Sequence, residues 1–247
     1  MMHRDTKETD VFEVLCSIPA MTVQRVRMRG KKVIEGLESA DVETALVPLA
    51  GSLDVKTGAG GSMSLEKKDV CYLGKGTKFS LAARGDADVL LARAPADNVY
   101  PTVVKKFSEV KEVVSGVEGY RRRIYTSFGD KDQANRLIVG FVEGDSGNWT
   151  SFPPHKHDGK PEVYVYYGMG NRFGVQVVAG SEDEAFVVRE GDAVLFENGY
   201  HPNVATPGVG MNFVWIISAD PKDRNLAVEI HPEYKDMPTG QTHLTVK

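Results

Sequence analysis

Long apolar runs are missing from this chain. Its longest stretches are of the size of Phe213-Val214-Trp215-Ile216-Ile217, far below the ~20 residues of a membrane span, so no membrane partner is expected. Cysteine is scarce. Cys16 and Cys71 stand far apart among ordinary neighbours, which predicts neither a disulfide framework nor a metal knuckle. An excess of one charge is missing too: 30 Lys+Arg against 34 Asp+Glu leave a net charge of -4, and with it no electrostatic case for binding nucleic acid. The opening residues Met1 to Glu8 hold no apolar segment of the signal-peptide kind, so a cytoplasmic protein with a small-molecule partner is expected. Helical periodicity is nearly absent as well. Lys105 to Ser115 is the one segment where it is conceivable, and its weak pattern predicts a linker with a single helical turn.

What is present is alternation with a period of two, in short segments bounded by Gly, Pro, Asp or Asn, the pattern of β-strands. A chain of 247 residues with 41% apolar content can bury one or two cores. Val23 to Arg29 places Arg25, Arg27 and Arg29 on one face and Gln24, Val26 and Met28 on the other, a strand expected to be half-exposed. One phrase occurs twice: Lys68-Asp69-Val70-Cys71-Tyr72-Leu73-Gly74-Lys75-Gly76 resembles Gly191-Asp192-Ala193-Val194-Leu195-Phe196-Glu197-Asn198-Gly199. The repetition predicts an all-β protein of two related jelly-roll barrels, residues 1–115 and 116–247. Exposed sheet edges in such a protein favour a homo-oligomer.

Histidines are distributed unevenly. None lies between residues 4 and 154, and then His155, His157 and His201 follow in quick succession. A strand through His155-Lys156-His157 throws both imidazoles to one face and Lys156 to the other. Asp158 to Pro161 reads as a turn that brings Glu162 back to the same point, and His201 arrives behind the Gly199 turn. Three imidazoles and one carboxylate suit a divalent first-row metal (Zn, Mn, Fe or Ni) with positions left open for substrate. His3, His231 and His243 lack such company and are expected at the surface.

These spacings resemble the two motifs of the cupin superfamily, with Glu197 where the second motif usually has proline and a single residue between Gly199 and His201. The runs Gly147 to Asp158, Glu162 to Tyr167, Asp183 to Asp192 and Gly199 to Pro202 are similar to those of the 5-deoxy-glucuronate isomerases of inositol catabolism, which share a bicupin family with the 4-deoxy-L-threo-5-hexosulose-uronate ketol-isomerases. The resemblance implies a bicupin whose metal site lies only in the second barrel, held by His155, His157, Glu162 and His201. It also implies a metal-dependent aldose-ketose isomerase that converts 5-deoxy-D-glucuronate to 5-dehydro-2-deoxy-D-gluconate through an enediol. The alternatives are an isomerase of another uronate, a non-catalytic cupin that binds a sugar acid, and an Fe- or Mn-dependent dioxygenase or oxalate-type enzyme.

An isomerase also needs proton carriers and a cation for the substrate carboxylate. Tyr164 and Tyr166 share the inward face with Glu162, where a hydroxyl serves a substrate oxygen or a ring merely fills the interior. Glu197, four residues before His201, is a candidate general base if buried and a turn residue if not. Arg172 is the expected carboxylate partner, because alternation points Lys156 away. Arg121-Arg122-Arg123 can be read as an anion patch, but in a chain of net negative charge it reads rather as a solvated linker end or an inter-barrel contact.

Overall fold

The computed structural model describes residues 1–58 and 60–240, and the backbone of 245–246. Two face-to-face stacks of sheets form the molecule. In the first half, a six-stranded sheet runs in the spatial order Val103–Lys105, Val70–Leu73, Val42–Ala50, Ala87–Pro95, Met21–Met28, Phe12–Ile18. Opposite it lies a four-stranded sheet of Val33–Glu38, Lys78–Ala83, Leu53–Thr57 and Ser62–Leu65. In the second half, a seven-stranded sheet runs Met2–His3, Ala193–Phe196, Glu162–Tyr166, Asn212–Ser218, Leu137–Gly144, Arg122–Phe128, Glu112–Ser115. It faces a four-stranded sheet of Trp149–Thr150, Asn203–Ala205, Phe173–Val178 and Glu184–Arg189, and a smaller one in which His155–Lys156 pairs with Ala227–Ile230. No helix among the described residues is long and apolar enough to cross a membrane.

The large sheets are buried on both faces, which explains why their strands read as near-continuous apolar runs. In Glu162–Tyr166, Val163 and Val165 enter a core shared by the two halves, whereas Tyr164 and Tyr166 enter the interior of the second half. Asn212–Ser218 divides likewise, with Val214 and Ile216 on the shared side and Phe213, Trp215 and Ile217 inside. The shared core also takes Met21, Val23, Val47, Tyr72 and Leu90 from the first half. Each such fully buried side chain contributes ~1.5–3 kcal/mol. At Gly140 the indole of Trp215 crosses the neighbouring strand, and a Cβ there would collide with the ring and with the Tyr125 carbonyl.

The repeated phrase is one turn built twice. Lys68 (φ 69°) and Gly191 (φ 85°) are both left-handed, as are Gly76 (φ 77°) and Gly199 (φ 96°). Asp69 accepts the Glu66 amide at 2.9 Å and the Phe107 amide at 2.9 Å; Asp192 accepts the Arg189 amide at 2.9 Å and the Asp5 amide at 3.0 Å. Each carboxylate thus closes its own turn and fastens a passing segment.

Several expectations are corrected. The arginine face of Met21–Met28 is not half-exposed: Arg25 is 4% accessible, paired with Asp88 and donating to the Gly191 carbonyl at 3.1 Å. The second half covers that face, which no reading of one strand could show. The segment after Lys105 holds one helical turn, Phe107–Glu109, but strands flank it and Phe107 packs against Phe141 at a ring distance of 5.5 Å. His3 is not a free surface residue, since Met2–His3 pairs with Ala193–Val194 and its Nε2 lies 2.8 Å from Glu13. His231 is half-buried and its Nδ1 accepts the Glu233 amide at 3.3 Å. His243 lies outside the described residues.

Candidate functional site

Three short pieces of chain deliver the cluster to the interior of the second half. His155 opens a two-residue strand opposite Ile230, and Glu162 opens a central strand between Phe196 and Ile217. His201 follows the Gly199 turn, its amide donating to the His155 carbonyl at 3.3 Å. The three imidazoles are fixed in the same way: Nδ1 of His155 donates to Pro153 at 3.0 Å, that of His157 to Ala227 at 3.2 Å and that of His201 to Gly199 at 3.0 Å, each to a main-chain carbonyl. A carbonyl can only accept, so Nδ1 carries the proton and Nε2 is left as the ligand atom.

One nitrogen from each ring lies within 4.8 Å of the others. Glu162 Oε2 stands 3.1 Å from His201 Nε2 and 3.8 Å from His157 Nε2. All four side chains are buried, and Glu162 Oε2 and His201 Nε2 have no hydrogen-bond partner among the described residues. Two buried acceptors in near contact are unfavourable unless a cation lies between them. Burial, helped by the neighbouring rings, drives His155 well below the ordinary imidazole range, and burial likewise lowers His157. The donor set therefore fits a divalent metal: oriented nitrogens, one carboxylate and an orphaned oxygen facing the same point.

A narrow, partly open cavity adjoins the cluster. Its lining mixes the apolar side chains Ile124, Val142, Trp215, Ile217 and Leu226 with the polar groups of Arg122, Ser151 and Tyr164. Ser151 adopts a left-handed conformation (φ 50°) that aims its hydroxyl at the Tyr164 hydroxyl, 2.9 Å away, a local strain of the kind found at functional sites. Burial raises Tyr164 well above the ordinary phenol range.

The other candidates fall elsewhere. Tyr166 does not line the cavity: its hydroxyl donates to Gln176 at 2.7 Å, and the Gln176 amide donates to the His201 carbonyl at 3.0 Å. It braces the metal-facing turn from behind. Glu197 is exposed and outside the cavity, because the buried row of its strand ends at Phe196, whose ring stacks on His201 at 4.7 Å. Arg172 is also outside, its Nη1 donating to the Pro207 carbonyl at 2.9 Å. It precedes Phe173–Val178, whose far end approaches Tyr200, so about 20 Å of strand separates it from His201.

Sequence reasoning sets aside the anion patch at Arg121-Arg122-Arg123 and so does not single out Arg122. Alternation sends Arg121 and Arg123 outward to Asp145, at 2.7 and 3.0 Å, and turns Arg122 inward beside Ile124, where it is 4% accessible. Reading Arg122–Phe128 as a strand was the signal that could have found it.

The comparisons with known proteins now bear on this geometry. The family model for the KduI/IolB family matches residues 3–237. This chain belongs to the KduI/IolB family. A protein named 5-deoxy-glucuronate isomerase from Geobacillus kaustophilus is 33% identical over 192 residues, 69% of this chain and 70% of that one. The family resemblance read from the motifs is thereby met, and the chain is an enzyme of a family whose relatives are named as isomerases. Among solved structures, an IolB-like protein from Salmonella typhimurium superposes with a TM-score of 0.83 at 22% identity, covering 95% of this chain and 97% of that one. Oxalate decarboxylase from Bacillus subtilis gives a TM-score of 0.64 at 14% identity, over 82% and 69% of the two chains. These likenesses show the fold: the all-β architecture that the repeated phrase predicts and the cupin-like form that the motif resemblance implies.

Proposed function

We propose that this KduI/IolB-family protein is a metal-dependent aldose-ketose isomerase that converts 5-deoxy-D-glucuronate to 5-dehydro-2-deoxy-D-gluconate in myo-inositol catabolism. The observation that carries the reading is the buried set His155, His157, Glu162 and His201, with its orphaned Oε2 and Nε2, beside a narrow cavity. Held there, a divalent ion (Zn, Mn, Fe or Ni) would supply Lewis acidity to the substrate carbonyl and the adjacent hydroxyl.

The reaction itself is redox-neutral. The C2–H proton leaves, the C1 oxygen gains a proton to give an enediol, and C1 is then protonated while the C2 hydroxyl loses its proton. No co-reactant is consumed. Protons must therefore be passed between two neighbouring oxygens, a task that suits a hydroxyl pair within hydrogen-bond reach of the cavity. Tyr164 and Ser151 form such a pair, and we assign them the exchange at the substrate oxygens. The apolar side chains Trp215, Ile217 and Leu226 line the same cavity and would limit the access of water to the enediol.

A proton NMR time course in D2O with 5-deoxy-glucuronate and metal-loaded protein tests the reading. Conversion to the keto acid, lost on chelation and restored by added metal, is the expected result. An unchanged substrate spectrum with metal still bound would overturn it in favour of another uronate or of binding without turnover.

A further inference from the structure

The notable charge in the cavity is a cation without an anion. Arg122 is buried, yet among the described residues it makes no ion pair, and both its hydrogen bonds run from Nη1 to main-chain carbonyls: Phe152 at 2.6 Å and Tyr120 at 3.4 Å. Nε and Nη2 have no partner among the described residues. Arg25 shows the usual arrangement of a buried guanidinium in this protein, engaged by Asp88 and with Asp5 nearby. A buried charge left unpaired is costly, and burial alone pushes Arg122 down to about 10. Yet the side chain is held by the Phe152 carbonyl and lines the same cavity as the Ser151–Tyr164 hydroxyls. The cavity therefore has a metal-ligating side and one fixed, unneutralised, planar donor fork, the geometry that takes a carboxylate in two parallel hydrogen bonds.

We infer that Arg122 is an anion-binding subsite that receives the carboxylate of the substrate and makes the cavity selective for sugar acids over neutral sugars. This rests on the sugar-acid isomerase reading above and names the residue that sets its substrate class. Arg172 is excluded by its position, and Lys156 already faces Glu229 at 3.4 Å.

The experiment pairs two substrates with two variants. For wild-type holoenzyme, kcat/KM is measured with 5-deoxy-glucuronate and with its neutral counterpart bearing CH2OH in place of the carboxylate. Calorimetry measures binding of glucuronate against glucose to the same protein. A charge-assisted contact predicts a preference of about 30-fold or more for the acid in both assays. Arg122→Gln is expected to reduce that preference to a few-fold while retaining metal, and Arg122→Lys to restore part of it. Equal handling of acid and neutral sugar by the wild type would overturn the proposal even if Arg122→Gln fails to fold. Turnover with an unchanged preference in folded Arg122→Gln would overturn the subsite and leave the isomerase standing. Absence of turnover, with glucuronate preferred and that preference lost in Arg122→Gln, would overturn the isomerase and leave the subsite standing.

Discussion

The two halves share a scaffold and differ in what fills it. The interior of the first is aliphatic, packed with Leu46, Leu53, Leu65, Leu73 and Leu81 at 0% accessibility. The interior of the second holds Tyr164, Tyr166, Phe196, Phe213 and Trp215 around a cavity lined by His155, His157 and Glu162. Counting from the equivalent aspartates Asp69 and Asp192, the position of His201 is occupied in the first half by Lys78, which is exposed. The same turn thus delivers a buried imidazole in one half and a solvated cation in the other. Chemistry here is a property of side chains set on a framework that tolerates either filling.

The sharpest way to break the comparison is to remove a ligand. His157→Ala is expected to abolish metal retention and lower turnover by more than ~10³-fold while unfolding stays cooperative, as read by metal analysis and thermal denaturation. A loss of cooperative unfolding would make the second half's histidines structural, like the leucines of the first. Next in size, Tyr164→Phe removes a cavity hydroxyl and is expected to lower kcat by ~10²-fold or more with metal content unchanged. Tyr166→Phe, which touches only the Gln176 brace, is expected to weaken metal affinity by ~10-fold and to act on kcat only through that loss. Parallel metal titrations and rates separate the two tyrosines.

The opposite experiment belongs in the first half. Leu81→Ala is expected to cost ~2–5 kcal/mol in denaturant unfolding and leave metal stoichiometry and KM untouched. A change in metal content would mean that the halves are coupled through the shared core. Smallest of all, Glu197→Gln and Arg172→Ala are expected to stay within ~0.5 kcal/mol of the parent stability with full activity, because neither side chain lines the cavity. A loss of activity in either would place the chemistry outside the cavity.

That contrast also shows what could be read from residues alone. His155, His157 and Glu162 converge through strand alternation and one turn, which are local rules, and the doubled turn phrase exposes the all-β repeat. Arg122 escaped because three consecutive arginines in a chain of net charge -4 look solvated until one knows that a strand begins there. Arg172 and Glu197 drew attention through nearness in sequence, whereas a strand carries Arg172 away from His201 and a strand end releases Glu197 to solvent. The burial of Arg25 depends on the docking of one half upon the other, seen in its bond to the Gly191 carbonyl. No single-strand pattern encodes that contact.

The most direct test is an anomalous difference map from crystals of the protein grown with its bound divalent metal, recorded at that metal's absorption edge. The account requires one strong peak per chain, ligated by His155, His157, Glu162 and His201, and none in the first half. No peak at that cluster, or a ligated peak inside the first half, would contradict it.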